Sequence, residues 1–163
     1  MQALVVNHSI VRINSKNIQN ILDYIVKFLV QKKALKNVKK LRKSEVTLVF
    51  ISAVRMKAMN FKYREKNYAT DILSFEPSSA DSLGDLILCP SVLKKQAKQN
   101  GHSFDYEILY MLIHGLLHLL GYDHEISLAA EKKMFGLQDR LFSQLTEAKI
   151  NLHLTHVNRR RSQ

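Results

Sequence analysis

The stretch Met111-Leu112-Ile113-His114-Gly115-Leu116-Leu117-His118-Leu119-Leu120-Gly121-Tyr122-Asp123-His124 is an apolar helix written around three histidines. At about 100° per residue, positions i and i+4 lie on one helical face, so His114 and His118 point two imidazoles the same way. Gly121 takes positive φ without penalty and is where the helix stops and the chain reverses. That reversal brings back His124 as a third nitrogen. Three neutral imidazoles leave one coordination position for water, the arrangement of a catalytic rather than a structural zinc site. A histidine pair on an apolar face is commonly a satisfied core pair, so the third histidine and the glycine decide the matter. With 7 histidines among 163 residues, chance supplies such a triple about 0.01 times per chain. Burying three imidazoles with no ion would also leave polar groups unpaired.

The spacing matches the H-E-x-x-H-x-x-G-x-x-H pattern of the metzincin proteases, with one departure. Gly115 stands where those enzymes carry the glutamate base. A glycine takes no proton from water, which disfavours peptide hydrolysis by that route. A metal here still acts as a Lewis acid and lowers the pKa of its water to about 7, which suits attack on phosphodiesters.

Working outward, Ser103 reads as the cap of the histidine helix, with Asp105 and Glu107 against its positive end. Upstream, residues 3–7 read as an opening strand. A long helix is expected over 16–35, capped by Ser15, with Ile18, Ile21, Leu22, Ile25, Phe28 and Leu29 at helical spacing. Residues 36–43 read as a loop or frayed helix end, and the β-branched run 46–51 as a strand. A short helix over 53–60, a polar loop over 61–70 and a strand over 71–75 follow. Gly84 opens a fourth strand, 85–89. Ser91 caps a basic helix that ends at Gly101, and an amphipathic helix fills 127–145. No repeat or linker interrupts this order. The expected class is α/β (α+β): a single domain over 1–150 with a small four-stranded sheet and about five helices. A basic tail over 151–163 is expected to be mobile. Strand order is not readable from spacing.

Charge points to the partner. Lys and Arg number 25 against 14 Asp and Glu, a net +11. They crowd 32–43, recur at Lys94, Lys95 and Lys98, and end the chain in Arg159-Arg160-Arg161. Such a balance concentrates polyanions and speeds their association, and nucleic acid is the leading candidate. A single cysteine, Cys89, forms no intrachain disulfide and fits a reducing, cytoplasmic home. Its apolar neighbours make it a core residue. The opening residues lack the basic region and long apolar run of a secretion signal. The most apolar later stretch, 108–120, falls short of the roughly 20 residues of a membrane span.

The segment His114-Gly115-x-Leu117-His118-Leu119-Leu120-Gly121-Tyr122-Asp123-His124 resembles the signature of the YbeY family of ribosomal-RNA maturation endoribonucleases. Met59-Asn60-x-x-Tyr63-Arg64 resembles the family's Leu-Asn-x-x-Tyr-Arg. Thr70-Asp71-Ile72-Leu73-Ser74-Phe75 resembles its Pro-Thr-Asp/Asn-Val-Leu-Ser-Phe strand, and Leu83-Gly84-Asp85-Leu86 its Leu-Gly-Asp-Ile. Ala69 and Glu76 stand where prolines are usual, and the basic tail lies outside the shared pattern.

The resemblance implies a small mixed sheet, one zinc per chain, and cleavage of single-stranded RNA. It further implies maturation of the 3′ end of small-subunit ribosomal RNA and a part in ribosome quality control, with the ribosome or assembly factors as partners. It makes Arg64 the catalytic arginine beside the metal; a guanidinium holds phosphate in a bidentate fork. Asp85 reads equally as a partner orienting a histidine or as a turn residue. His8, His102, His153 and His156 carry no metal role. Three imidazoles prefer zinc but also suit nickel, copper or iron. With no general base visible, the rival is a zinc-stabilised RNA-binding assembly factor with little catalysis. A divergent metalloprotease is disfavoured by Gly115. If the charge serves RNA binding, affinity should fall about tenfold or more between about 50 and 200 mM salt. Filter binding across that range checks this, and a flat profile would make the charge idle surface.

Overall fold

Val46, Leu48 and Phe50 are buried on one side of a strand that turns Val49 to the other, the alternation of a strand with both faces covered. The computed structural model describes residues 1–32, 38–77, 79–148 and 152–155. The strands are β1 (Gln2–Asn7), β2 (Glu45–Phe50), β3 (Ile72–Phe75) and β4 (Ser82–Leu88). The helices are α1 (Ser15–Gln31), α2 (Val38–Lys43), α3 (Ala53–Arg64), α4 (Pro90–Asn100), α5 (Phe104–Leu119) and α6 (Leu128–Glu147). The sheet order is β1-β2-β4-β3. β1, β2 and β4 run parallel, and β3 runs antiparallel to β4 at the edge. This is the mixed α/β fold that the resemblance implies.

One face of the sheet carries the main core: Val46, Leu48, Phe50, Leu86 and Leu88 meet α1, α5 and α6. A smaller cluster of Ile51, Met56, Leu73, Ile87 and Cys89 lies on the α3 side. Cys89 is fully buried, as its apolar neighbours indicate. At the far edge, the outward amide of Ala3 in β1 donates to Gln19 Oε1 of α1 at 2.9 Å. Among the described residues no helix is long and apolar enough to cross a membrane.

Several boundaries differ from the sequence reading, each for a local reason. α1 is capped by Asn14, whose side chain accepts from the Asn17 amide at 3.1 Å, and Ser15 is its first helical residue. α1 ends at Gln31; the expected continuation over 33–35 lies outside the described residues. The segment read as a loop or frayed end contains α2 from Val38. α3 runs four residues past its expected end, through exposed Lys62, Tyr63 and Arg64. With no apolar period there, the extension has no pattern to betray it. It stops where Glu65 takes a left-handed φ of 59°. α4 starts at Pro90, not after Ser91, because proline at a helix start needs no amide partner.

Of the expected tail, only residues 152–155 are described. Residues 152–155 pack on the domain: Leu154 is fully buried, and its carbonyl accepts from the Asn14 amide at 2.8 Å. Asp105 Oδ1 accepts from the Thr155 amide at 3.0 Å and its hydroxyl at 2.7 Å. The expectation for 156–163 lies outside the described residues. Leu154→Ala should cost about 2–4 kcal/mol, as for other fully buried leucines, read from urea denaturation midpoints. A loss within about 0.5 kcal/mol, typical of surface changes, would mean the segment is not part of the folded domain.

Candidate metal centre

α5 is apolar almost all round: Ile108, Leu109, Leu112, Ile113, Leu116 and Leu117 are buried, as for a helix at the middle of a core. Ser103 caps it by accepting from the Tyr106 amide at 3.2 Å, with Asp105 and Glu107 in the first turn. His114 and His118 lie on its one half-exposed stripe. At the other end the Tyr122 amide donates to the Leu117 carbonyl at 3.0 Å and the Gly121 amide to that of His118 at 2.8 Å. Those two bonds, with Gly121 at φ 84°, are a Schellman ending. The chain turns back there, as the glycine indicates, and delivers His124.

The three rings meet. Their centroids are 4.7 Å apart for His114–His118, 5.3 Å for His114–His124 and 5.1 Å for His118–His124. One nitrogen from each lies within 4.8 Å of the others. His114 Nε2 and His118 Nε2 are 3.1 Å apart, close to the edge of about 3.3 Å of a tetrahedron with metal–nitrogen bonds of about 2.0–2.1 Å. The donor set and its spacing therefore fit a single ion.

Two residues that the sequence reading missed hold this cluster from α6. Phe135 stacks on His124 at 5.2 Å and 27°, and on His114 at 6.2 Å and 24°. Gln138, fully buried, places Oε1 3.0 Å from His114 Nδ1. A polar residue inside the buried stripe Met134, Leu137, Leu141, Leu145 was the available signal. Asp85, one reading of which was to orient a histidine, instead lies within β4, in register with Thr47 and Phe75. It is neither that partner nor a turn residue. His102 pairs with Glu107 at 3.0 Å, and His153 approaches Asp105 at 4.0 Å. His156 lies outside the described residues.

The histidines line an open groove of about 670 Å³ that Arg64, Asp71, Ser74 and Glu76 also line. Arg64 lines the same groove as the cluster, as the last residue of α3 rather than in a loop. Asp71 is tied down by the Thr70 hydroxyl, the Ile72 amide and Gln96 Nε2 at 2.8–2.9 Å. Gly115 faces away, into the sheet. A Cβ there would lie 2.7 Å from Ile72 Cδ1 and 2.8 Å from Leu86 Cδ2, so a glutamate has no room. The departure from the protease pattern has a packing cause.

Burial holds the pKa of His114 below the ordinary 6.5, opposed by its bond to Gln138 and reinforced by His124. Burial likewise lowers His118, with His114 and His124 adding to the effect. Both rings are neutral at pH 7, the form that binds metal.

This fold and site define a small α/β protein with a solvent-open, three-imidazole centre. The chain belongs to the endoribonuclease YbeY family, whose sequence profile matches residues 5–146. It is 47% identical over 145 residues to the endoribonuclease YbeY of Bdellovibrio bacteriovorus, covering 89% of this chain and 95% of that one. It is 40% identical over 144 residues to that of Thermodesulfovibrio yellowstonii, covering 83% and 91%. A solution structure of a protein from Thermotoga maritima superposes with a TM-score of 0.62 at 27% identity, covering 92% of this chain and 93% of that one.

The depressed histidines give a signed pH dependence. Between the folded values and 6.5 the unfolded chain binds more protons, so stability rises with pH in that window. Metal-free protein should therefore be at full strength above pH 6.5 and lose stability as pH falls through that value. Urea midpoints across this range check it, and the slope should shrink in His114→Ala. A slope of the opposite sign would contradict the burial of neutral rings.

Proposed function

We propose that the chain is a metal-dependent endoribonuclease that cuts single-stranded RNA at a centre formed by His114, His118 and His124. The observation that carries this is the three converging imidazoles on the floor of a groove shared with Arg64, in a family whose members are named endoribonucleases. The net charge of +11 supports a polyanionic substrate. Zinc is the proposed ion, because three neutral imidazoles with an open position are its catalytic arrangement; nickel or another divalent metal also fits the donors. The family resemblance carries the single-strand preference, the 3′ end of small-subunit ribosomal RNA as the site of action, and a part in ribosome quality control with ribosomal partners. A cytoplasmic location agrees with the lone buried cysteine.

Held by His114, His118 and His124, a divalent ion would supply Lewis acidity at the groove. The chain's own residues do the rest. Gln138 and Phe135 hold the imidazoles in place from behind. Arg64, which lines the same groove, carries a planar fork suited to neutralising charge as it builds on the phosphate. Gly115 adds no base and lets α5 lie close against the sheet.

Purified protein should cleave a defined single-stranded RNA, and His118→Ala should abolish the cut while the fold survives. RNA that is bound but never cut by the wild type would favour the assembly-factor reading. Metal analysis of protein purified without chelator or nickel resin should find one zinc per chain. Arg64→Ala should cost about 10²-fold or more in cleavage rate, comparable to losing one oxyanion donor. Metal content and melting temperature should not change, and Arg64→Lys should recover part of the rate. Wild-type cleavage by Arg64→Ala would remove Arg64 from the mechanism.

A further inference from the structure

Gln138 has both ends of its side-chain amide engaged in the interior. Its Nε2 lies 3.5 Å from the Tyr110 carbonyl oxygen, and its Oε1 lies 3.0 Å from His114 Nδ1. The residue is fully buried, so water offers neither end a substitute. A backbone carbonyl only accepts hydrogen bonds, which assigns the amide's NH₂ to the Tyr110 side. The oxygen must then face His114, and an amide oxygen also only accepts. His114 Nδ1 must therefore carry the hydrogen of its neutral ring. In a neutral imidazole the other nitrogen is the acceptor, and that nitrogen, Nε2, faces His118 Nε2 at 3.1 Å in the centre of the cluster.

We infer that Gln138 is a positioning residue that locks His114 into the Nδ1–H tautomer, so that its Nε2 lone pair is presented to a metal ion before any ion arrives. The inference rests on the metal reading of the three histidines. It adds to it that the selection is made from α6, a helix that supplies no ligand of its own. An imidazole left free divides itself between two tautomers, one of which turns an N–H toward the ion and cannot bind it. Fixing the tautomer and ring orientation in this way also raises the ligand's basicity, and loss of such a partner weakens metal binding about 10–100-fold. Phe135 reinforces the geometry by stacking on His124 and His114 from the same helix.

The test uses three full-length proteins: wild type, Gln138→Leu and Gln138→Glu. Leucine has similar bulk and no acceptor, and suits an otherwise apolar stripe, so the fold should survive at wild-type melting temperature. Glutamate keeps an oxygen facing His114. Zinc affinity is read by competition with a chromophoric chelator, with no RNA present. Gln138→Leu should bind about 10–100-fold more weakly than wild type, and Gln138→Glu at least as tightly. Separately, nitrogen-15 NMR of the metal-free proteins reads which ring nitrogen of His114 carries the hydrogen. Wild type should show Nδ1–H, and Gln138→Leu a mixture. Wild-type zinc affinity in Gln138→Leu, or Nε2–H on His114 in the wild type, overturns the inference. A wild type that binds no zinc would instead sink the metal reading, and the NMR comparison would then decide Gln138's role alone.

Discussion

The close approach of α5 to the sheet at Gly115 is the constraint on which the rest depends. With no Cβ at that position, Ile72 of β3 and Leu86 of β4 press directly against the helix. His114 is the preceding residue, so that contact fixes the backbone that carries it. The same contact closes one end of the main core, in which Leu112, Leu116, Leu48 and Leu88 share one cluster. Interiors packed at crystal-like density do not yield by fractions of an ångström without cost. The histidines inherit that stiffness on the groove that Arg64 and Asp71 also line.

The cluster is assembled from three kinds of support with separate physical origins. Helical periodicity pairs His114 with His118. A left-handed glycine at 121 returns His124. Packing from α6 orients the rings through Phe135 and Gln138. The first two are local in sequence, and the third spans the 24 positions between Gln138 and His114. This difference decides what could be read in advance.

The ligand triad was legible because its rule is a spacing, and a spacing survives without coordinates. The long helices were legible because their buried faces leave a period in the sequence, and β2 because its residues form a β-branched run. Strand order was not legible, since parallel neighbours such as β2 and β4 are joined through other elements and leave no turn signal between them. The end of α3 was missed because its last turn is exposed all round. The docking of Leu154 was missed because one buried leucine in a polar stretch has no period. Asp85 and Gln138 show the limit most sharply. A carboxylate near a motif looked like a candidate to orient a histidine, whereas the residue that does so is an amide on a helix that folds back from elsewhere.

Both margins of the sheet bear on how this protein behaves in a crowded cell. An exposed strand edge is a template for pairing with another chain. At one margin β3 is four residues long and is followed directly by Glu76 and Pro77, which add a charge and remove an amide. At the other, the Ala3 amide is already taken by the Gln19 side chain, whose Nε2 also donates to the Met1 carbonyl at 2.9 Å. Each margin thus carries a feature that opposes pairing with a second copy. The groove beside β3 can therefore stand open without inviting strand-to-strand aggregation, and like-charge repulsion from a net +11 opposes the encounter as well.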